Sequence, residues 1–333
     1  MNIREVAKAA GVSSATVSRV FNGAARVDPV THRRVLQAAK KAGYFPNAYA
    51  RTLSSGRSNT YGLILSDLTN PFFPDLVKSF KTKAREFGYE TFISDTDYDL
   101  ERMQESVRLM LEYKVDGVAI MTSEMSPSLL QLLRQRKVPV VLLDTGTSGL
   151  LATNISINYK QGVDLAIQHL ISLGHRRIAL LQGPSTLRSA TRRRDAFLGA
   201  LKRHGIRPLS QHILTSDHSV DGGKNAMTQL LKTKPWPTAV MCSNDLSAIG
   251  ALHAAHVQGV KVPDDLSIMG FDDIQMSAMM QPELSTIHVS RKEVATRAFT
   301  ALYGMTQGGQ VRGVSQTIPC ELVIRQSTAP VKR

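Results

Sequence analysis

The side chains with chemistry to offer fall into two groups along this chain. The first is close to the N-terminus. Ser14, Ala15, Ser18, Arg19 and Asn22 share the outer face of a short helix predicted from Ser14 to about Asn22. These are small or hydrogen-bonding residues around one guanidinium. A helix with such a face can lie in a DNA major groove, where an arginine fork takes both acceptors of a guanine. The second group follows apolar, strand-like runs: Asp67 to Asn70, Asp144, Gln182, Asn244–Asp245 and Asp272–Asp273. Open α/β sheets bind ligands beyond the carboxyl ends of their strands, and carboxylates and amides pair with hydroxyl groups. Asp245 and Asp273 could equally serve only as helix caps.

No catalytic constellation accompanies these residues. G-x-G-x-x-G, G-x-x-x-x-G-K-[ST] and G-x-S-x-G are absent, and His169, His175, His204 and His218 form no nucleophile or metal arrangement. Cys242 and Cys320 have no metal-ligand spacing and read as buried small apolar residues. An enzyme on a doubly wound fold is therefore disfavoured. Neither a cofactor nor a metal is expected.

The elements that must position the first group are short helices. Asn2 and Glu5 form a capping pair for a helix to about Ala10, and Gly11 stops it. Ser13 can cap a second helix, and Asp28-Pro29 opens a third that runs to Ala42 before Gly43. Val6, Ala7, Ala10, Val12, Val17, Val20, Val35 and Leu36 supply a three-helix core. This is a helix-turn-helix plan over residues 1–46. Asn47 to Ser54 could form one or two helical turns, marginal unless folded against a partner such as DNA, so 47–59 reads as a hinge and linker.

From Thr60 the pattern changes to strands alternating with helices. Strands are expected at Tyr61–Leu65, Thr91–Ser94, Gly117–Met121, Val138–Leu143, Ile178–Leu181, Thr238–Cys242 and Leu266–Phe271, and helices include Pro71–Gly88, Gly162–Leu173 and Arg192–Lys202. The alternation implies parallel, doubly wound sheets, and two successive α/β units imply two lobes. Arg192-Arg193-Arg194 spreads around its helix by about 100° per residue, so at most one or two of them can face a cleft.

Charge agrees with a polyanion partner at the N-terminus. Residues 1–60 hold ten bases and two acids, a net +8 of the whole chain's +14 over 333 residues. A basic surface that only aids solubility would look the same by charge alone. No run of about 18 apolar residues and no signal-peptide core occurs, so a cytoplasmic, nucleoid-associated protein with no membrane contact is expected. The same features argue against a transport-type sugar-binding protein.

Ile3 to Ser13, then Thr16-Val17-Ser18-Arg19-Val20-Phe21-Asn22 and Ala50-Arg51-Thr52-Leu53, closely resemble the DNA-binding signature of the LacI/GalR family. The resemblance runs over essentially the whole chain. It implies a sequence-specific transcription repressor whose operator affinity is controlled by a small molecule, a sugar or sugar derivative. An acidic or phosphorylated sugar is the alternative. Ser14, Ala15 and Arg19 match base-reading positions, and Ser13, Thr16, Ser18 and Asn22 match phosphate-contacting ones. Ala50 and Leu53 belong to a hinge whose leucine wedges into the minor groove. The family's sensor has a periplasmic-binding-protein-like fold over about 60–328. One lobe spans about 60–158 and 289–319, and the other about 159–288 and 320–328, with chain crossings near Asn158, Val289 and Cys320. Phe72, Phe73, Asp144, Ser189, Arg193, His218, Asn244 and Asp272 match ligand positions. A homodimer on a palindromic operator is implied, and without a leucine-heptad tail a tetramer is not expected.

Overall fold

The computed structural model of the chain describes residues 2–21, 27–44, 56–122, 125–308 and 312–332. Helix α1 (Ile3–Ala10) starts under a reciprocal cap: the Asn2 side chain accepts from the Arg4 and Glu5 amides, and the Glu5 carboxylate accepts from the Asn2 amide. Gly11 ends it at φ +61°, in the left-handed region that favours glycine. The Ser13 hydroxyl accepts from the Thr16 amide and caps α2 (Ser14–Phe21). Asp28 caps α3 (Pro29–Lys41), where proline in the first turn forfeits no helical hydrogen bond.

Val6, Ala7, Ala10, Val17, Val20, Val35 and Ala39 are buried between the three helices, with Val12 packed at the edge. Leu36, expected inside, is 42 % exposed. One step along a helix turns a side chain by about 100°, so Val35 and Ala39, four residues apart, take the inner stripe instead.

The rest of the chain alternates. Strands β1 (Thr60–Leu65), β2 (Glu90–Asp95), β3 (Gly117–Met121), β4 (Val140–Leu143) and β5 (Ala152–Ile157) are interleaved with α4 (Phe72–Glu86), α5 (Leu100–Glu112) and α6 (Pro127–Gln135). Next come α7 (Tyr159–Ser172), β6 (Ile178–Gln182), α8 (Arg188–Arg203), β7 (Ile213–Thr215), α9 (Val220–Leu230), β8 (Ala239–Cys242), α10 (Asp245–Val257) and β9 (Ser267–Met269). Strand β10 (Thr286–Val289), α11 (Arg291–Thr306), β11 (Ser315–Ile318) and β12 (Cys320–Val323) complete the order.

Two parallel sheets result. The first runs β11-β5-β4-β3-β1-β2, and the second runs β7-β6-β8-β9. Strands covered on both faces read as unbroken apolar runs, which is why β1, β3 and β4 stand out in the sequence. The antiparallel ribbon of β10 and β12 joins the two lobes, pairing Thr286 with Val323 and Val289 with Cys320. Helix α11 returns to the first lobe and packs on α4. One apolar cluster runs from Tyr61 and Phe80 in the first lobe through Tyr159 to Phe197 and Phe271 in the second.

Two helices start earlier than their apolar patterns suggest. Helix α7 begins at Tyr159 because the Asn158 side chain caps the Gln161 amide. Helix α8 begins at Arg188, one turn ahead of the expected Arg192, which puts Ser189 and Arg193 on the same helix, four residues apart.

Candidate functional site

Phe72, Phe73, Asp144, Ser189, Arg193, His218, Asn244 and Asp272 come from six separate stretches of chain, and all eight line one cavity between the lobes. Ser66, Asn70, Tyr98, Thr122 and Tyr159 complete its polar wall. Its volume is about 70 Å³, so the lobes are drawn together around it.

Each wall is built by a strand end or a helix start. Asp144 follows β4 in a left-handed conformation, φ +59°, and is buried. Its Oδ1 accepts from the Ile157 amide at 3.0 Å and from Arg192 Nη1 at 3.1 Å, and its Oδ2 accepts from the Tyr159 hydroxyl at 2.6 Å. Burial pushes its carboxyl above the usual range, and these donors oppose the shift. Asp144 lies on the first lobe and Arg192 on α8 of the second, so this ion pair crosses the cleft.

Asp272 follows β9 at φ +116°, and burial pushes its carboxyl up to about 7, with Arg193 holding it down. Arg193 Nη1 stands 3.6 Å from Asp272 Oδ1, too far for a hydrogen bond. The guanidinium donates to the Ser243 carbonyl at 2.5 Å and lies 5.3 and 5.1 Å from the Tyr159 and Phe271 ring centres. Arg193 is thus held by a carbonyl and two aromatic faces, while the Asp272 carboxylate is left able to accept from a ligand.

His218 Nε2 lies 2.9 Å from the Ser243 hydroxyl. Burial, helped by the neighbouring Arg193 charge, holds its pKa near 3, so the ring is neutral. Asn244 caps α10 through the Ser247 amide, and its Nδ2 donates to the His218 carbonyl at 2.9 Å. Phe72 and Phe73 meet edge to face, 5.4 Å apart, behind the Asn70 side chain that caps the Phe72 amide.

The arginine run divides by helical phase. Arg193 points into the cleft, Arg192 reaches across it to Asp144, and Arg194 pairs with Asp195 on the surface. Other strand-end polar residues are spent elsewhere. Asp67 accepts from Thr69, Gln182 donates to Thr215, and Asp273 pairs with His288 and Arg325. Asp245 is not the α10 cap; Asn244 is. The Asp245 carboxylate is buried and accepts from the Ile274 amide and the Ser277 and Thr286 hydroxyls, while burial raises its pKa to about 6. Tyr159 and Arg192 escaped sequence reasoning as cleft residues, because their partner Asp144 lies 15 and 48 positions away.

On the N-terminal module, Ala15 and Arg19 are exposed on one face of α2, with Ser14 and Ser18 half-buried beside them. Ser13 is exposed and its hydroxyl lies 2.9 Å from that of Thr16, at the helix start. Asn22, Ala50 and Leu53 lie outside the described residues.

Among the described residues no group of three or more His, Cys, Asp or Glu could hold a metal, and no helix is long and apolar enough to cross a membrane. Cys242 and Cys320 are free and buried.

Residues 2–47 match the family described as bacterial regulatory proteins, lacI family, and residues 58–326 match periplasmic binding proteins and the sugar binding domain of the LacI family. The chain is 33 % identical over 332 residues to the HTH-type transcriptional regulator DegA of Bacillus subtilis, covering 99 % of this chain and 98 % of that one. The Lac repressor dimer bound to operator and the anti-inducer ONPF superposes with a TM-score of 0.87 at 30 % identity, with 99 % of both chains covered. A LacI family transcriptional regulator from Enterococcus faecium with bound ribose gives 0.73 at 28 % identity over 82 % of this chain and 100 % of that one. A three-helix basic module and a two-lobed sensor are thus matched separately and together, and the chain belongs to the LacI family of bacterial DNA-binding transcriptional regulators.

Proposed function

We propose that this chain is a cytoplasmic repressor that binds a palindromic operator as a homodimer, and that a sugar or sugar derivative held between the lobes sets its operator affinity. Its functional units are residues 1–46 for DNA reading, 47–59 as hinge and 60–328 as sensor. The observation that carries the sensor half is the shared cavity. It offers the Asp272 carboxylate, the Arg193 guanidinium, a neutral His218 and two phenylalanine rings from both lobes at once. Hydroxyls suit the polar groups, and the apolar face of a sugar ring suits the aromatic ones. No catalytic step is assigned to these residues.

On the DNA side, Arg19 and Ala15 read bases, with Ser14 at the same face. Ser13, Thr16, Ser18 and Asn22 hold phosphates, and Ala50 and Leu53 serve the minor groove. Two half-site readers require a dimer. Val257, Met276 and Met279 stand exposed on the second lobe, apolar surface that a subunit contact would cover.

Helix α11 connects the two sites. At its start, Arg291 Nη1 donates to the Asp272 carbonyl at 2.6 Å and Nη2 to the Asp273 carbonyl at 2.9 Å. At its end, Arg57 of the linker donates to the Gln307 side chain at 3.1 Å and the Thr306 carbonyl at 3.2 Å. A ligand that moves Asp272 therefore pulls on a rod whose far end holds the strand leading to the DNA-binding module.

The test is a thermal-shift screen of the full chain against sugars, sugar acids, sugar phosphates and nucleosides, with hits repeated in a binding assay on DNA from upstream of its own gene. One compound should shift both melting and DNA affinity. At 100 times its Kd it should stabilise by about 2.7 kcal/mol. DNA binding that no compound alters would overturn the sensor half.

A further inference from the structure

A second cavity, of about 520 Å³, opens at the end of the first lobe where the chain leaves for the DNA-binding module, and Gly56 and Arg57 form part of its wall. It is lined by four cations, Arg57, Lys114, Arg136 and Lys137, and by one acid, Asp116. That acid is already committed, since its two oxygens accept from the Ser58 amide and hydroxyl and from the Asn59 amide, at 2.9 to 3.1 Å. Arg57 is engaged by the end of α11. Lys114, Arg136 and Lys137 are exposed, and among the described residues of the cavity wall the only carboxylate is the committed Asp116.

The backbone around two of them is unusual. Lys114 and Lys137 follow the caps of α5 and α6 at φ +50° and +55°. The corresponding left-handed position after α4, α7, α8, α10 and α11 is held by Gly88, Gly174, Gly205, Gly259 and Gly308. A side chain at that position is strained, so glycine is the ordinary solution. Favourable contact with helix-end carbonyls is one return on such a lysine, but it does not explain why both strained lysines, with Arg136 beside one of them, open into the same cavity.

We propose that this basic cavity rests on the sugar-phosphate backbone of the operator, adding phosphate contacts from the sensor domain to those of the helix-turn-helix module. The inference builds on the operator-binding reading above. Charge complementarity supports it, and so does reach: from Tyr44 to Gly56 the covalent chain spans at most about 40 Å, so bound DNA stays near this face. Such contacts are blind to base sequence and add affinity and salt dependence.

The experiment compares the full chain with the triple variant Lys114→Gln, Arg136→Gln, Lys137→Gln, by fluorescence anisotropy on a duplex from upstream of its own gene at several salt concentrations. Each lost phosphate contact lowers the slope of log affinity against log salt by about 0.9. With up to three contacts from each protomer of the dimer, the variant should lose about 1 to 5 in slope and bind about tenfold or more weakly at low salt, with its melting temperature and sugar response unchanged. The control variant Lys202→Gln, Lys224→Gln, Lys232→Gln removes the same charge from the second lobe and should keep the wild-type slope. An unchanged slope in the first variant overturns the proposal, as does an equal drop in both. A first-variant slope unchanged on DNA, with wild-type melting raised by inorganic phosphate only when these three residues are present, assigns the cavity to a small anion instead. A wild-type chain that binds no duplex overturns the operator reading itself, and this proposal with it.

Discussion

Two residues test the opposite ends of the molecule. Arg19 is exposed on α2 with Ala15 on the same face. Arg19→Ala should weaken cognate binding by about 1–3 kcal/mol and relax specificity at one base pair, measured by competition with single-base operator variants. An equal loss on every DNA sequence would mean that Arg19 holds phosphate rather than a base. Asp272 gives a pH signature. Burial raises its pKa to about 7, while His218, near 3, stays neutral across the same range. In the proposed site a sugar hydroxyl would donate to the ionised carboxylate, so ligand would favour the deprotonated form. Ligand-induced stabilisation should therefore be full about one pH unit above 7 and shrink as the pH falls through 7 to 5.5. Asp272→Asn should leave a smaller shift with no pH dependence. A wild-type shift constant between pH 7.5 and 5.5 would place the hydroxyl contact elsewhere.

At the scale of elements, the second lobe depends on an unusually close helix pair. A Cβ on Gly250 of α10 would lie 2.0 Å from the Val220 carbonyl of α9, and one on Gly223 would lie 2.2 Å from the Ser247 carbonyl. Gly250→Ala gains about 1 kcal/mol of helix propensity. It also drives a methyl into backbone that cannot turn aside, and overpacking costs about 1–3 kcal/mol or more. The steric term wins, so urea unfolding should show a net loss of stability. A more stable variant would mean that the two helices part freely. Because Asn244 caps α10, the displacement should also weaken the ligand response. Strands were less legible than helices. Strand β5 reads Ala-Thr-Asn-Ile-Ser-Ile, without the unbroken apolar run of β1, and β7, β10, β11 and β12 are short. Helix signals repeat over several turns, whereas a three- or four-residue strand is recorded only by its partner.

The whole molecule is poised around the cleft. Arg192 is 36 % exposed and Asp144 is 2 % exposed, so the ion pair between the lobes is partly screened and worth about 0–1 kcal/mol to stability. Its larger effect is on closure. Arg192→Gln should leave urea unfolding nearly unchanged. By reducing the population of the closed lobes it should weaken sugar binding about two- to fivefold in calorimetry. A large stability loss with unaltered sugar affinity would make Arg192 a structural brace only. What the sequence determined by itself is what neighbouring residues encode: the Asn2–Glu5 capping pair, the Gly11 stop, the basic N-terminal cap and the alternation of strand and helix. The positions of Asp144 and Asp272 at strand ends were legible as polar breaks after apolar runs, whereas Arg193 was marked by the family resemblance. Only the tertiary structure decided that Tyr159 and Arg192 meet Asp144, that Asp245 is buried among Ile274, Ser277 and Thr286, and that Lys114, Arg136 and Lys137 share one cavity. Caps and periodicity are local energies settled within a few residues, whereas these meetings follow from sheet order and lobe closure, which bring β11 beside β5 across some 160 residues of chain.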